Sequence, residues 1–285
     1  MKYIIAKKDF NNDFLVETLS ALAKCYQQLP ADVYVVGAVA RDLSFQLLQI
    51  ENTSRRTLDL DVAVMLKEWS QYKRLSEILF DNGFVKAPEK QRFLYLGIDG
   101  QRQYVVDIVP FGAIAEHGQV AWPPEGSPVM SIRCLEDVMK TADKIQVDND
   151  FAFYMPSLSG QFLVKFDAWL DRGVSTRKDA YDMVYILQNV YVAYALAHEV
   201  LPDEVDTDAE HFDVAVAGAE WIASDLAQIL TAEKRRWYAD IIQAELDEEE
   251  NSRLLNDMLD VSDSRNYLLY RRALCRMAEI LRRME

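Results

Sequence analysis

The chain contains the stretch Leu58-Asp-Leu-Asp-Val-Ala-Val-Met65, in which two aspartates interrupt an apolar, β-forming run. Residues i and i+2 of a strand point to the same face, so Asp59 and Asp61 are expected to project together. Aspartate has low strand propensity, and neighbouring carboxylates repel each other unless a cation lies between them or one is protonated. Their oxygens suit Mg²⁺ or Mn²⁺. The alternative is a strand with one solvated face.

A third aspartate lies inside a second β-forming run, Tyr104-Val-Val-Asp-Ile-Val-Pro-Phe111. Burying Asp107 there would be costly without a partner. If this strand pairs beside the first, Asp59, Asp61 and Asp107 converge at one edge of the sheet. Such a cluster can hold two divalent cations about 4 Å apart, the arrangement used for in-line phosphoryl displacement. The alternative for Asp107 is an edge-strand acid that faces water.

A tight turn between a strand and a helix is predicted upstream, in Val33-Tyr-Val-Val-Gly-Ala-Val-Ala-Arg-Asp-Leu43. The start of a helix has unpaired N–H groups and a positive dipole end, so it suits a phosphate. Gly37 allows close backbone approach there, and Arg41, one turn later, would add a charge-assisted contact. The chain has neither a Walker-type lysine nor a complete G-x-G-x-x-G, and an ordinary β–α connection with a surface arginine is the alternative.

Together these segments resemble the DNA polymerase β-like nucleotidyltransferase superfamily. The resemblance implies a nucleoside triphosphate substrate and two Mg²⁺ (or Mn²⁺) ions. It implies that Asp59, Asp61 and Asp107 are catalytic metal ligands, and that the turn and Arg41 bind the nucleotide. The family usually has Gly or Ser at the second turn position. Ala38 stands there in this chain and offers only its backbone N–H.

Two helical segments narrow the resemblance to the AbiEii-type nucleotidyltransferases of abortive-infection and toxin–antitoxin systems. They are Leu163-Val-Lys-Phe-Asp-Ala-Trp-Leu-Asp-Arg172 and Arg177-Lys-Asp-Ala-Tyr-Asp-Met183. The resemblance implies that Lys165 and Asp182 belong to the nucleotide site, and that an antitoxin is a possible partner. The spacing also predicts that an acid of the second helix pairs with Lys165 or Arg172. The alternative is a purely structural salt-bridge seam.

The remaining pattern predicts an α+β protein of two domains. Residues 1–155 would form a nucleotidyltransferase-like mixed sheet flanked by helices, and residues 156–285 an all-helical domain, because helical periodicity with few Gly or Pro follows Pro156. Asp99-Gly100 separates two strand-like runs and predicts a hairpin. Residues 113–128 are predicted to form a loop.

Composition limits the function classes. Half of the 285 residues are hydrophobic and the formal net charge is −15, which excludes a globally basic nucleic-acid coat. We expect a cytoplasmic protein without a membrane span. The leading interpretation is a nucleotidyltransferase whose acceptor is an RNA end such as that of tRNA, a protein or a small molecule. A catalytically weak nucleotide-binding module and a non-catalytic helical interaction protein are the alternatives.

Overall fold

The computed structural model describes residues 2–29, 31–50, 59–197, 200–260 and 266–283. The described strands are β1 Lys2–Ile5, β2 Tyr34–Val36, β3 Asp59–Met65, β4 Phe84–Lys86, β5 Arg92–Tyr95, β6 Tyr104–Phe111, β7 Gln119–Ala121, β8 Val129–Ser131, β9 Asp143–Val147 and β10 Phe151–Met155. The described helices are α1 Asp13–Gln27, α2 Gly37–Leu47, α3 Trp69–Asp81, α4 Leu135–Lys140, α5 Leu158–Arg172, α6 Lys178–Ala197, α7 Val214–Ile229, α8 Ala232–Asp247, α9 Arg253–Asp260 and α10 Tyr267–Arg283.

The chain divides by contacts into two compact units. The first contains residues 1–43 and 52–157, and the second contains residues 44–51 and 158–285. Helix α2 therefore contributes residues to both units. The expected division into independent domains at residue 155 stays a prediction, since compactness alone does not show that either unit folds by itself.

The first unit is built on a mixed eight-stranded sheet in the order β1-β9-β10-β2-β3-β6-β5-β4. Strand β3 pairs antiparallel with β2 and parallel with β6, and β6 pairs antiparallel with β5. The α+β class with a mixed sheet, flanking helices and a helical C-terminal region is thereby confirmed.

The two faces of the central strands differ in burial. Leu60, Val62 and Val106 are fully buried on one face. Helix α1 packs on that face, where the Phe14 ring contacts Tyr104 with a centroid distance of 5.6 Å. The helix forms because apolar side chains recur at helical spacing after Asn12, whose side chain accepts hydrogen bonds from two backbone N–H groups of the first turn. The opposite face is only half-buried and carries the aspartates of β3 and β6.

Two local expectations have different outcomes. The hairpin around Asp99-Gly100 is confirmed, because β5 and β6 pair antiparallel on either side of it. The loop expected over residues 113–128 is wrong in part, since β7 lies within it and pairs with β8. Alternation of an apolar Val120 between exposed Gln119 and Ala121 favours this short strand. The expected start of β3 at Leu58 falls outside the described residues.

The second unit consists of packed helices. Helix α10 contacts α7 and α8, and α6 contacts both α5 and α7. Trp169, Tyr238 and Tyr270 are among its fully buried large side chains. Burial of such aromatic groups supplies much of the hydrophobic stabilisation of a helical domain. None of the described helices combines the length and the apolar character needed to cross a lipid bilayer.

Candidate functional site

A single row of paired residues crosses four neighbouring strands of the first unit. Val36 of β2 lies opposite Asp61 of β3, Asp61 lies opposite Asp107 of β6, and Asp107 lies opposite Arg92 of β5. Residues that oppose each other across a strand pair direct their side chains to the same face. The row therefore places two carboxylates and one guanidinium on the half-buried face. The expected adjacency of the two aspartate strands is confirmed.

Asp59 adds a third carboxylate to this face of the sheet. Asp59 precedes Asp61 by two residues and shares its face, while Leu60 between them is fully buried on the other face. Both aspartates are half-buried. Neighbouring strands lie about 4.8 Å apart. Asp59, Asp61 and Asp107 therefore form a compact acidic patch of the kind that oxygen-seeking cations favour.

The Asp61 carboxylate lies directly against the start of α2. Gly37 has a φ of +72°, and a Cβ built there would lie 2.1 Å from Oδ2 of Asp61 and 2.9 Å from its Cγ. Glycine is needed at this position for both reasons: its backbone is left-handed, and the carboxylate fills the space that a side chain would take. The turn at Gly37 and the acidic patch are thus in direct contact through the Asp61 carboxylate. Ala38, the second residue of α2, is half-buried beside this contact.

Arg92 binds both oxygens of Asp107. Its Nε donates to Oδ1 at 2.9 Å and its Nη2 donates to Oδ2 at 2.8 Å, which is the bidentate geometry that guanidinium groups form with carboxylates. The hydrogen bonds to Asp107 raise the pKa of Arg92, and the charges of Glu89 and Asp59 add to this effect. Arg92 therefore stays charged at any physiological pH and neutralises part of the acidic patch.

The oxygens of Asp59 and Asp61 suit Mg²⁺ or Mn²⁺ in chemical type, and they share a face. Within the described ranges, however, no group of three or more His, Cys, Asp or Glu side chains has an arrangement that would hold a metal ion. Asp107 lies beside Asp61 in the row, but both of its oxygens accept hydrogen bonds from Arg92. A cation bound by all three aspartates would require Arg92 to release Asp107.

Arg41 is buried, with 2% of its surface exposed, and its guanidinium is held by its neighbour. Both Nε and Nη2 donate to Oδ1 of Asp42, at 2.9 and 2.7 Å. The alternative of a surface arginine is wrong, because Asp42 compensates the charge and so allows burial. A phosphate contact by Arg41 stays a prediction.

The second unit contains a buried ion-pair network between α5 and α6. Lys165 Nζ lies 2.6 Å from Asp182 and 3.7 Å from Asp179, and Arg172 binds both oxygens of Asp179 at 2.8 and 2.9 Å. Asp179 is fully buried, and the Lys165 side chain is only 11% exposed. The predicted pairing of an acid of the second helix with Lys165 or Arg172 is confirmed. The seam fixes the α5–α6 hairpin, and a nucleotide contact by Lys165 stays a prediction.

The Lys165 pair gives a stability prediction. Replacing Lys165 by methionine is expected to lower the free energy of unfolding by about 3–5 kcal/mol, because Asp182 would be left buried without its cation. Lys140→Met is the control, since that side chain is 60% exposed beside Glu136 and Asp137. Its loss should cost less than about 1 kcal/mol. Urea denaturation measures both; equal losses for the two variants would contradict a buried, energetically coupled pair.

Sequence reasoning missed Arg92 as a member of the row. A hairpin folded symmetrically about Asp99-Gly100 places Arg92 and Asp107 opposite each other, each seven residues from the turn. Counting outward from the predicted turn would therefore have identified the pair. The contact between Gly37 and Asp61 had no such local signal, because it depends on the pairing of β2 with β3.

No family model matches the chain, and no curated protein matches it. Among solved structures, the chain is similar to the Thermotoga maritima CCA-adding enzyme in complex with tRNA, with 14% identity and a TM-score of 0.30 over 95% of this chain and 52% of that one. It is also similar to a CCA-adding enzyme with CTP, at 14% identity and a TM-score of 0.30 over 92% of this chain and 54% of that one. A third similar structure is a CCA-adding enzyme with ATP, at 14% identity and a TM-score of 0.31 over 93% and 70% of the two chains. The chain spans about half the length of the first of these enzymes, at 52% coverage. Similarity at this level assigns no activity to this chain.

Proposed function

We propose that this protein binds a nucleoside triphosphate together with a divalent cation and transfers the nucleoside monophosphate to an acceptor hydroxyl. The main support for this proposal is the contact between the Asp61 carboxylate and Gly37 at the start of α2. It brings a carboxylate, a ligand type that Mg²⁺ prefers, beside a helix start whose N–H groups suit phosphate. A metal-bound triphosphate needs both kinds of group side by side.

Asp59 and Asp61 are the residues we assign to the cation, Mg²⁺ or Mn²⁺, and Asp107 completes the set for a second ion. When bound, the cations would neutralise the triphosphate and lower the pKa of the acceptor hydroxyl. The chain supplies the oxygen ligands and holds them on one half-buried face of the sheet. A rigid strand pair is a suitable support, since metal ligands must keep their geometry through the reaction.

The triphosphate is assigned to the backbone N–H groups of Gly37 and Ala38, where the positive end of the α2 dipole favours anions. Arg41, which is one turn into α2 and ion-paired with Asp42, is also assigned to the triphosphate charge. We assign Lys165 to the negative charge that develops in the transition state. Asp182 is the residue that positions its ammonium group.

The reaction we propose forms one bond and breaks one. The acceptor oxygen attacks the α-phosphorus of the nucleotide, the bond from that phosphorus to the bridging oxygen breaks, and pyrophosphate leaves. The hydroxyl proton passes to a carboxylate, which we assign to Asp107 once Arg92 has released it. An RNA end such as that of tRNA, a protein side chain and a small molecule all present a suitable hydroxyl. A toxin-like role with an antitoxin partner would be one biological setting for this chemistry.

A second candidate function is nucleotide binding without efficient transfer. Two observations favour it: Ala38 has no hydroxyl to offer a phosphate, and Arg92 occupies both oxygens of Asp107. A protein of this kind would bind a metal–triphosphate complex and stop there. Binding and transfer must therefore be measured separately.

Transfer is tested with the four α-labelled nucleoside triphosphates, Mg²⁺, and separate RNA, protein and small-molecule fractions of a cell extract. We expect label to enter one fraction, and Asp107→Asn to lower that rate by about 100-fold or more because it removes the proposed base. Asp107→Asn should lower transfer by a larger factor than it lowers binding of the labelled nucleotide. Binding without transfer in the unaltered protein would favour the second candidate, and absence of both would contradict the proposal.

A further inference from the structure

Arg92 occupies both oxygens of Asp107, the carboxylate that the proposed function assigns to a second cation. Both carboxylate oxygens accept from the same guanidinium, and the side chain of Asp107 is only 13% exposed. The second ion-pair partner of Arg92 is the exposed Glu89, at 3.6 Å. Asp107 thus has its strongest acceptor positions filled by an internal cation.

The sheet holds this guanidinium in place. Arg92 and Asp107 are register partners in the β5–β6 hairpin, so their backbones set the approach of the two side chains. The planar fork of arginine matches both oxygens of a carboxylate at once, and less side-chain entropy is lost per hydrogen bond than for a flexible lysine. This pair is therefore a strong competitor for any ion that approaches Asp107.

We infer that Arg92 competes with the second divalent cation for Asp107, so that this cation binds only by displacing Arg92. The inference rests on the proposed function, which supplies the reason for cations at Asp59 and Asp61. The neighbouring strand places those two carboxylates beside the Arg92–Asp107 pair but leaves them outside its bidentate contact. The arginine would thereby set the metal concentration at which the complete site assembles.

The competition predicts how substitutions change metal binding without nucleotide. Arg92→Gln removes the internal cation while keeping a polar side chain, so uptake of the second ion should strengthen by about tenfold or more. Arg92→Lys keeps a positive charge but not the planar guanidinium. Its affinity for the second ion should therefore lie between those of the unaltered protein and Arg92→Gln. Asp107→Asn should abolish the second binding step.

The experiment titrates the full-length protein with Mn²⁺, using the electron paramagnetic resonance signal of the free ion and calorimetry in parallel. Arg102→Gln is the matched control, because Arg102 lies in the same hairpin segment and pairs with Asp99 and Glu17, away from the row. Thermal unfolding confirms that each variant is folded. If Arg92→Gln fails to fold, Arg92→Lys alone decides the question.

We expect one Mn²⁺ to bind readily in the unaltered protein and a second to bind much more weakly, with the second step strengthened in Arg92→Gln but not in Arg102→Gln. Two equal steps in the unaltered protein, or a second step that neither Arg92 variant changes, would overturn the inference. If Asp61→Asn leaves the first step unchanged, the proposed function itself fails, because its cation ligands would be wrong. The two failures are therefore distinguishable.

Discussion

Replacing Asp61 by asparagine is expected to lower Mg²⁺-dependent binding of the nucleoside triphosphate by about 100-fold or more. The substitution keeps the volume of the side chain and removes its negative charge, so a cation loses a strong oxygen ligand. Cation contacts of this kind are worth several kcal/mol, and about 3 kcal/mol corresponds to a 100-fold change in affinity.

Asp59→Asn should weaken the same binding, because Asp59 shares the face of Asp61. Asp81→Asn is the matched control: it changes the charge equally, but Asp81 ends α3 and is exposed. Calorimetry with and without Mg²⁺ measures the effect. Equal affinities for the unaltered protein and both strand variants would mean that these carboxylates do not bind the cation.

Gly37→Ala is expected to remove nucleotide binding and to lower stability. The new Cβ would occupy the space of the Asp61 carboxylate, 2.1 Å from Oδ2, so Asp61 or the start of α2 must move. The backbone at a φ of +72° adds a conformational cost of about 1–2 kcal/mol for a residue with a side chain. We expect a total loss of about 2–4 kcal/mol in the free energy of unfolding.

Gly100→Ala separates these two causes. Gly100 has a similar φ of +65°, but nothing lies within 4 Å of a Cβ built there. This variant therefore carries the backbone cost alone and should bind nucleotide normally. Denaturation and nucleotide titration of both variants test the argument. If Gly37→Ala is no worse than Gly100→Ala in either measurement, the Asp61 contact has no part in the site.

The single substitution of Lys165 does not test a nucleotide contact, because it lowers stability whether or not Lys165 contacts a nucleotide. The double variant Lys165→Met/Asp182→Leu replaces the buried pair by apolar groups, a change that is often neutral for stability. It should recover most of the stability lost in Lys165→Met. A stable double variant that binds nucleotide normally would show that the pair is structural only.

The sequence was sufficient for the arrangement of the carboxylates within each strand, because strand periodicity is local. The alternation around Asp59 and Asp61 predicts their shared face, and two strongly β-forming runs predict the two strands but not that they pair. The turn at Gly37 was also visible as a glycine between a strand and a helix.

Other features depend on contacts between distant segments, which periodicity does not report. The packing of Asp61 on Gly37 requires the register of β2 with β3, and the burial of Arg41 requires a compensating carboxylate at the correct angle. The pairing of Lys165 with an acid of the next helix was expected from spacing, but its depth of burial was not. Charged side chains are buried only when a partner compensates their charge.

A cation-dependent nucleotide site is tested most directly by calorimetric titration of the unaltered protein with each of the four nucleoside triphosphates, in Mg²⁺ and in a metal chelator. We expect at least one nucleotide to bind in Mg²⁺ and its binding to be lost in the chelator. A nucleotide that binds equally well in both conditions, or no binding of any of the four, would contradict a cation-dependent site formed by Asp59, Asp61 and the helix start at Gly37.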